Sequence, residues 1–139
     1  NMSAEDQAKQ DAREATDEDI FVDGSVTLVD HGGIDKLNSE KTHAKTTLAV
    51  LYAPWCPFCQ AMVGGFEEAA GDLTGKNVDV VKFRADGDEK EWAKENLSLN
   101  SFPTILLFPE GRSGYIKLGS ERRDPESLEI FVESIVGKL

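Results

Sequence analysis

Apolar residues recur along this chain with two different periods, and the switches between them mark the elements. Val26, Leu28 and Val29 read as a short strand closed by Asp30-His31-Gly32-Gly33, and a short helix is predicted over 34–38. From 46 to 52 the run is continuously apolar and β-branched, the pattern of a strand buried on both faces. A helix is predicted over 57–73, with Phe58, Met62, Phe66, Ala69, Ala70 and Leu73 on one face at spacings of three and four. Gly64-Gly65 interrupts it. Mid-helix glycine costs about 1 kcal/mol relative to alanine, so a kink is expected there, and Gly75 supplies the stop. A strand over 78–83, a helix over 88–97 carrying Trp92, a strand over 104–108, a turn over 110–114 and a last strand over 115–118 follow. The final helix has a clear start: Asp124 as N-cap, Pro125 at the first helical position and Glu126 in the first turn. Leu128, Phe131, Val132, Ile135 and Val136 form its apolar face. The order β-α-β-α-β-α-β-β-α, with right-handed crossovers, predicts an α/β fold: a mixed central sheet of about five strands with helices on both faces.

Residues 1–24 break this pattern. Large apolar residues are nearly absent before Ile20-Phe21, and eight acids outnumber Lys9 and Arg13. Such a segment buries too little surface to offset its ordering entropy. It reads as an acidic linker, disordered or solvent-exposed, ahead of a single domain over 25–139. Deleting residues 1–19 is accordingly expected to leave stability and activity on small disulfides nearly unchanged. The net charge of −11 argues against nucleic-acid binding, which needs a basic patch, and against an anionic membrane surface. No apolar run approaches the ~20 residues of a membrane-spanning helix. The polar, acidic start carries no signal peptide pattern, and the chain also reads as a domain of a longer precursor.

Candidate chemistry concentrates at one place. Cys56 and Cys59 are the only cysteines, in Tyr52-Ala53-Pro54-Trp55-Cys56-Pro57-Phe58-Cys59-Gln60, where the buried strand gives way to the long helix. A C-x-x-C at a strand-to-helix junction is a thiol–disulfide redox signature. Unpaired N–H groups and the macrodipole at a helix N-terminus favour a thiolate there, which makes Cys56 the expected nucleophile. Cys59 lies one turn deeper, close enough to close a disulfide, and is the expected resolving thiol. Two other readings are an inert buried pair and half of a tetrahedral metal set. Neither His31 nor His43 lies in a motif with the cysteines, so no metal is assigned, and both histidines read as surface residues. Asp86, Asp88 and Glu89 read as a turn and a helix start.

The element order, with C-x-x-C after the second strand and Pro103 before the fourth, resembles the thioredoxin fold over roughly 25–139. Tyr52-Ala53-Pro54-Trp55-Cys56 is similar to thioredoxins and protein disulfide isomerases, whereas Cys56-Pro57-Phe58-Cys59 is similar to glutaredoxins. This hybrid, with Gln60-Ala61-Met62, the run from Lys82 to Asp88 and Ser101-Phe102-Pro103-Thr104-Ile105-Leu106, closely resembles the C-terminal domain of the plant-type adenylylsulfate (adenosine 5′-phosphosulfate) reductase family.

The resemblance implies a glutaredoxin-like, glutathione-dependent oxidoreductase domain. It would pass electrons to a fused N-terminal sulfonucleotide reductase domain during sulfate assimilation in the chloroplast stroma. It implies no cofactor on this domain; a 4Fe-4S cluster belongs only to the fused reductase domain. An iron–sulfur cluster held partly by glutathione occurs in some glutaredoxin-like proteins, and Pro57 counts against it here. Trp55, Pro57, Phe58, Phe102 and Pro103 are the implied substrate-binding residues, with Phe102-Pro103 matching the family's cis-proline segment. Trp55 reads either as a platform beside the active sulfur or as an edge aromatic.

Two departures bear on activity. Val50 stands where thioredoxins hold a buried acid, while Lys82 matches that acid's lysine partner, either lowering the Cys59 pKa or snorkelling to solvent. Ala53 stands where glutaredoxins place a lysine for the glutathione carboxylate; Lys117, Arg122 and Arg123 are the remaining carboxylate partners, and Ser120 and Glu121 the candidates for the γ-glutamyl end. Protein disulfide isomerase-like or general thioredoxin-like activity is the enzymatic alternative. A redox-switched docking module is the non-enzymatic one.

Overall fold

The computed structural model describes residues 3–5 and 19–139. Among these residues five strands form one sheet: β1 (Thr27–Leu28), β2 (Thr47–Tyr52), β3 (Asp79–Arg84), β4 (Thr104–Phe108) and β5 (Ile116–Lys117). Their spatial order is β1-β3-β2-β4-β5. The pairs β1–β3 and β2–β3 are parallel, and β2–β4 and β4–β5 are antiparallel. The helices are α1 (His31–Ser39), α2 (Pro57–Thr74), α3 (Lys90–Leu97) and α4 (Pro125–Val136), with a 3-10 turn at Gly87–Glu89 ahead of α3. The element order and the mixed α/β architecture are those predicted.

Central placement explains the unbroken apolar run of β2, all six residues of which are buried. Leu48 and Val50 point to one side with α2 and α4, against Met62, Phe66, Leu73, Leu128 and Val132. Ala49 and Leu51 point to the other, against Ile34 of α1 and Ala93 and Leu97 of α3. Alternate residues of one strand therefore found two separate cores.

Local chemistry sets the helix ends. Asp30 caps α1 by accepting from the Gly33 N–H at 2.8 Å, so His31-Gly32-Gly33 open a helix rather than close a turn. Asp124 caps α4 as predicted, accepting from the Ser127 N–H at 3.2 Å. Helix α2 runs without a break through Gly64-Gly65. The reason for one glycine is contact: a Cβ at Gly65 would stand 3.2 Å from Pro125 Cδ, whereas one at Gly64 would meet nothing within 4 Å. Glycine at 65 lets the start of α4 lie against α2.

The segment preceding β1 corrects the expected boundary at 25. Phe21 is buried, with edge-to-face contacts to Tyr52 at 5.1 Å and Phe66 at 6.0 Å. The Val22 and Asp23 N–H groups donate to the Glu67 carboxylate of α2 at 2.9 and 2.7 Å. Asp19 pairs with Lys82 and accepts from the Tyr52 hydroxyl at 3.0 Å. Residues 19–24 thus form a strap docked on the α2 face; the linker reading of 6–18 lies outside the described residues. His43 also departs from expectation. It is fully buried, with Nδ1 3.0 Å from the Pro109 carbonyl and Nε2 2.8 Å from the Leu37 carbonyl. None of the described helices is long and apolar enough to cross a membrane.

Candidate active site

β2 ends at Tyr52, and the chain turns through Ala53-Pro54-Trp55 into α2. The turn is fixed by the Cys56 N–H donating to the Ala53 carbonyl at 3.1 Å and by the Gln60 amide donating to the Pro54 carbonyl at 3.0 Å. Cys56 is the N-cap of α2 and Pro57 its first residue, where a missing N–H costs nothing. Cys59 follows one turn later. Both are free thiols.

Their environments differ. Cys56 keeps 8% of its surface exposed, and its thiol points at the Phe102 carbonyl, Sγ to O 3.8 Å. Cys59 has no exposed surface. Burial, reinforced by the neighbouring Cys56, pushes the Cys59 thiol up to about 12, so Cys59 is protonated at neutral pH.

The Phe102-Pro103 bond is cis, as the resemblance implied. Phe102 packs edge-to-face on Trp55, centroids 5.9 Å apart. The Trp55 indole N–H donates to Asp86 at 2.7 Å, and Arg84 holds the same carboxylate at 2.8 Å. Burial opposes ionisation of Asp86, but the Arg84 and Trp55 donors hold its carboxyl below the usual range. Trp55 is thus a half-buried ring packed edge-to-face on Phe102 beside the active-site loop, as the edge-aromatic reading has it. Sequence reasoning assigned Asp86 only to a turn; the signal was Arg84-x-Asp86, a pair whose target lies 31 positions back.

Phe58 corrects the helix-face reading. It is 68% exposed, and the buried face of α2 begins at Cys59 and continues through Met62, Val63 and Phe66. The structure gathers Cys56, Cys59, Trp55, Phe102 and Pro103 at one end of the sheet, with Pro57 and Phe58 opening the adjoining helix.

Val50 is fully buried and registers opposite Lys82 on β3. Lys82 does not snorkel: it is 7% exposed, its ammonium lies 4.8 Å from the Phe21 ring, and it pairs with Asp19. The carboxylate absent at Val50 is therefore supplied to Lys82 from the strap. Burial works against ionised Asp19, but donation from Lys82, the Phe21 N–H and Tyr52 holds its carboxyl below the ordinary range. The three carboxylate-partner candidates also separate. Arg122 is exposed and lies 3.8 Å from Asp124. Lys117 donates to the Ser98 carbonyl at 2.7 Å and to Asn100 at 3.0 Å. Arg123 is half-buried beside Phe58, Phe102 and Glu121.

The comparisons agree with this geometry. The Thioredoxin family profile matches residues 35–134. The chain is 48% identical over 117 residues to 5′-adenylylsulfate reductase 1, chloroplastic, of Arabidopsis thaliana, covering 84% of this chain and 25% of that protein. It is 48% identical over 119 residues to a probable chloroplastic 5′-adenylylsulfate reductase 1 of Oryza sativa subsp. japonica, with the same coverage. Protein disulfide-isomerase 1 of Caenorhabditis elegans is 34% identical over 93 residues, 67% of this chain and 18% of that one. The chain thus spans about a quarter of the length of the reductases it matches. Among solved structures, the J-Trx1 fragment of ERdj5 superposes with a TM-score of 0.68 at 21% identity, over 84% of this chain and 54% of that one. Fold, cysteine placement and sequence relationship converge: the chain belongs to the thioredoxin family.

Proposed function

We propose that this chain is the thiol–disulfide oxidoreductase domain of a plastid adenylylsulfate reductase, using glutathione as its electron donor. The asymmetry of the two thiols carries the reading: one keeps a small opening to solvent under a backbone carbonyl, and the other is sealed and protonated. Kinship with chloroplastic adenylylsulfate reductases supports the partner and the compartment.

In the proposed cycle the Cys56 thiolate attacks the inner, cysteinyl sulfur of a cysteine S-sulfonate on the reductase domain. The S–S bond breaks, sulfite leaves with its electron pair, and a mixed disulfide forms. Cys59 then attacks the Cys56 sulfur. Its proton passes through water to the departing thiolate of the reductase domain, since no carboxylate among the described residues hydrogen-bonds to it. Two glutathione thiols reduce the resulting Cys56–Cys59 disulfide and leave as glutathione disulfide. Thiolate is the attacking form at each step.

The test uses the two cysteine variants with glutathione, a small disulfide and an S-sulfonate peptide. Cys56→Ser abolishes turnover, and Cys59→Ser accumulates the mixed disulfide. Alkylation at neutral pH labels Cys56 first. Faster labelling of Cys59 would overturn the assignment of roles, and turnover with dithiothreitol but not with glutathione would remove the donor.

A further inference from the structure

Arg123 is a half-buried cation bordering the active-site loop. It makes no ion pair or hydrogen bond among the described residues, although Arg122, Arg84 and Lys82 beside the same region are all paired. Its position is enforced. The absent side chain of Gly65 lets residues 123–125 lie on α2; a Cβ there would stand 3.5 Å from the Arg123 carbonyl and 3.2 Å from Pro125 Cδ.

Arg123 is also where three depressions meet. One runs over Phe58, Ser101, Phe102 and Glu121, against the loop whose carbonyl faces the Cys56 thiol. The second follows Phe58, Met62 and Pro125 along α2. The third, of about 370 Å³, passes behind Pro103 to Lys117. The charge of Arg123 opposes the effect of burial on Cys59. Glu121 shares two of these depressions but forms no ion pair with Arg123 within 4.0 Å. The guanidinium fork is thus available to a group arriving from solvent, and its geometry suits a carboxylate.

We infer that Arg123 is a specificity residue of the disulfide-exchange site, selecting substrates that carry a carboxylate on the arm adjoining the scissile sulfur. This rests on the oxidoreductase reading of Cys56 and Cys59, but not on glutathione as donor. The exchange itself is unchanged: Cys56 attacks, the S–S bond breaks, and the arm leaves as a thiolate. Arg123 acts only by holding the arm.

Three small disulfides of graded charge test it: neutral 2,2′-dithiodiethanol, the dianion 3,3′-dithiodipropionate and the dication cystamine. The dithiothreitol-reduced full chain is mixed with each, and the loss of its two thiols is followed by mass spectrometry. Rates are normalised to those of free 2-mercaptoethanol. In the wild type the dianion reacts fastest after normalisation. Arg123→Gln slows the dianion about five- to tenfold, the worth of one charge-assisted hydrogen-bonded pair at a half-exposed site, and leaves the neutral disulfide unchanged. Arg123→Lys keeps the order, Arg123→Glu inverts it, and Glu121→Gln raises the dianion rate. An equal slowing of all three disulfides would overturn the inference by showing that Arg123 acts through the thiols. So would a wild-type order that follows the free thiol. Loss of all reactivity in the wild type would instead sink the oxidoreductase reading.

Discussion

Truncating one side chain of the strap, Phe21→Ala, tests whether residues ahead of β1 belong to the fold. Phe21 is buried against Tyr52 and Phe66, and its ring lies beside the Lys82 ammonium. Phe→Ala in a core costs about 3–5 kcal/mol, and aromatic pairs contribute about 0.5–1.5 kcal/mol each beyond burial. Because a strap can detach rather than leave a sealed cavity, the lower end applies, about 3 kcal/mol. For a domain between the usual 100- and 150-residue brackets, about 4 °C of melting temperature goes with each kcal/mol, so the midpoint should fall by about 12 °C. The assay is thermal unfolding of the reduced protein, read by circular dichroism and by tryptophan fluorescence. A fall of under about 4 °C would refute the argument and return residues 19–24 to the status of a linker. A double-mutant cycle completes the test. Asp19→Asn alone leaves the nearly buried Lys82 ammonium without its counter-charge, whereas Asp19→Asn with Lys82→Met removes both members. The double variant should be more stable than the single one, because an orphaned buried charge costs more than the loss of a pair.

Two further outcomes follow. Because the folded Cys59 thiol is raised to about 12 while an unfolded cysteine titrates near ~8.5, the folded state holds the extra proton between those values. The associated stability is complete below ~8.5 and declines as pH rises, by about 2 kcal/mol between pH 8.5 and 10; denaturant unfolding of the reduced protein should show this decline, and Cys59→Ser should lack it. On α2, Gly64→Ala should stabilise by about 0.5–1 kcal/mol, since its Cβ meets nothing within 4 Å, whereas Gly65→Ala should lose that gain by pressing on Pro125; equal midpoints for the two variants would contradict the contact assigned to Gly65.

What the sequence discloses here follows the range of the interaction. Helix α4 is legible down to its cap because Asp124, Pro125 and Ser127 act on one another within one turn. β2 is legible because a strand buried on both faces needs no partner to be named. The cysteine pair is legible because its spacing and its strand-to-helix setting are both local. Three of the departures depend on partners distant in sequence. Asp19 and Lys82 meet across 63 positions, His43 and Pro109 across 66, and Trp55 and Asp86 across 31. No periodicity encodes such a meeting, so a charged residue near the chain start reads as solvated and a histidine between loops reads as exposed. Phe58 failed for a different reason. Helical spacing admits Phe58 beside Met62, but the buried face of α2 follows Cys59, Met62, Val63 and Phe66 and leaves Phe58 outside it.

Phe102 gives the site an unusual mechanical connection. The sheet separates the interior into two compartments, and Phe102 packs against both, while its carbonyl faces the Cys56 thiol. Changes of packing in either compartment thus bear on the same ring. Residues that never touch one another therefore share one lever over the reactive sulfur. The genetic expression of such an arrangement is second-site suppression across the sheet: a substitution that misplaces the loop from one compartment finds its compensating partner in the other.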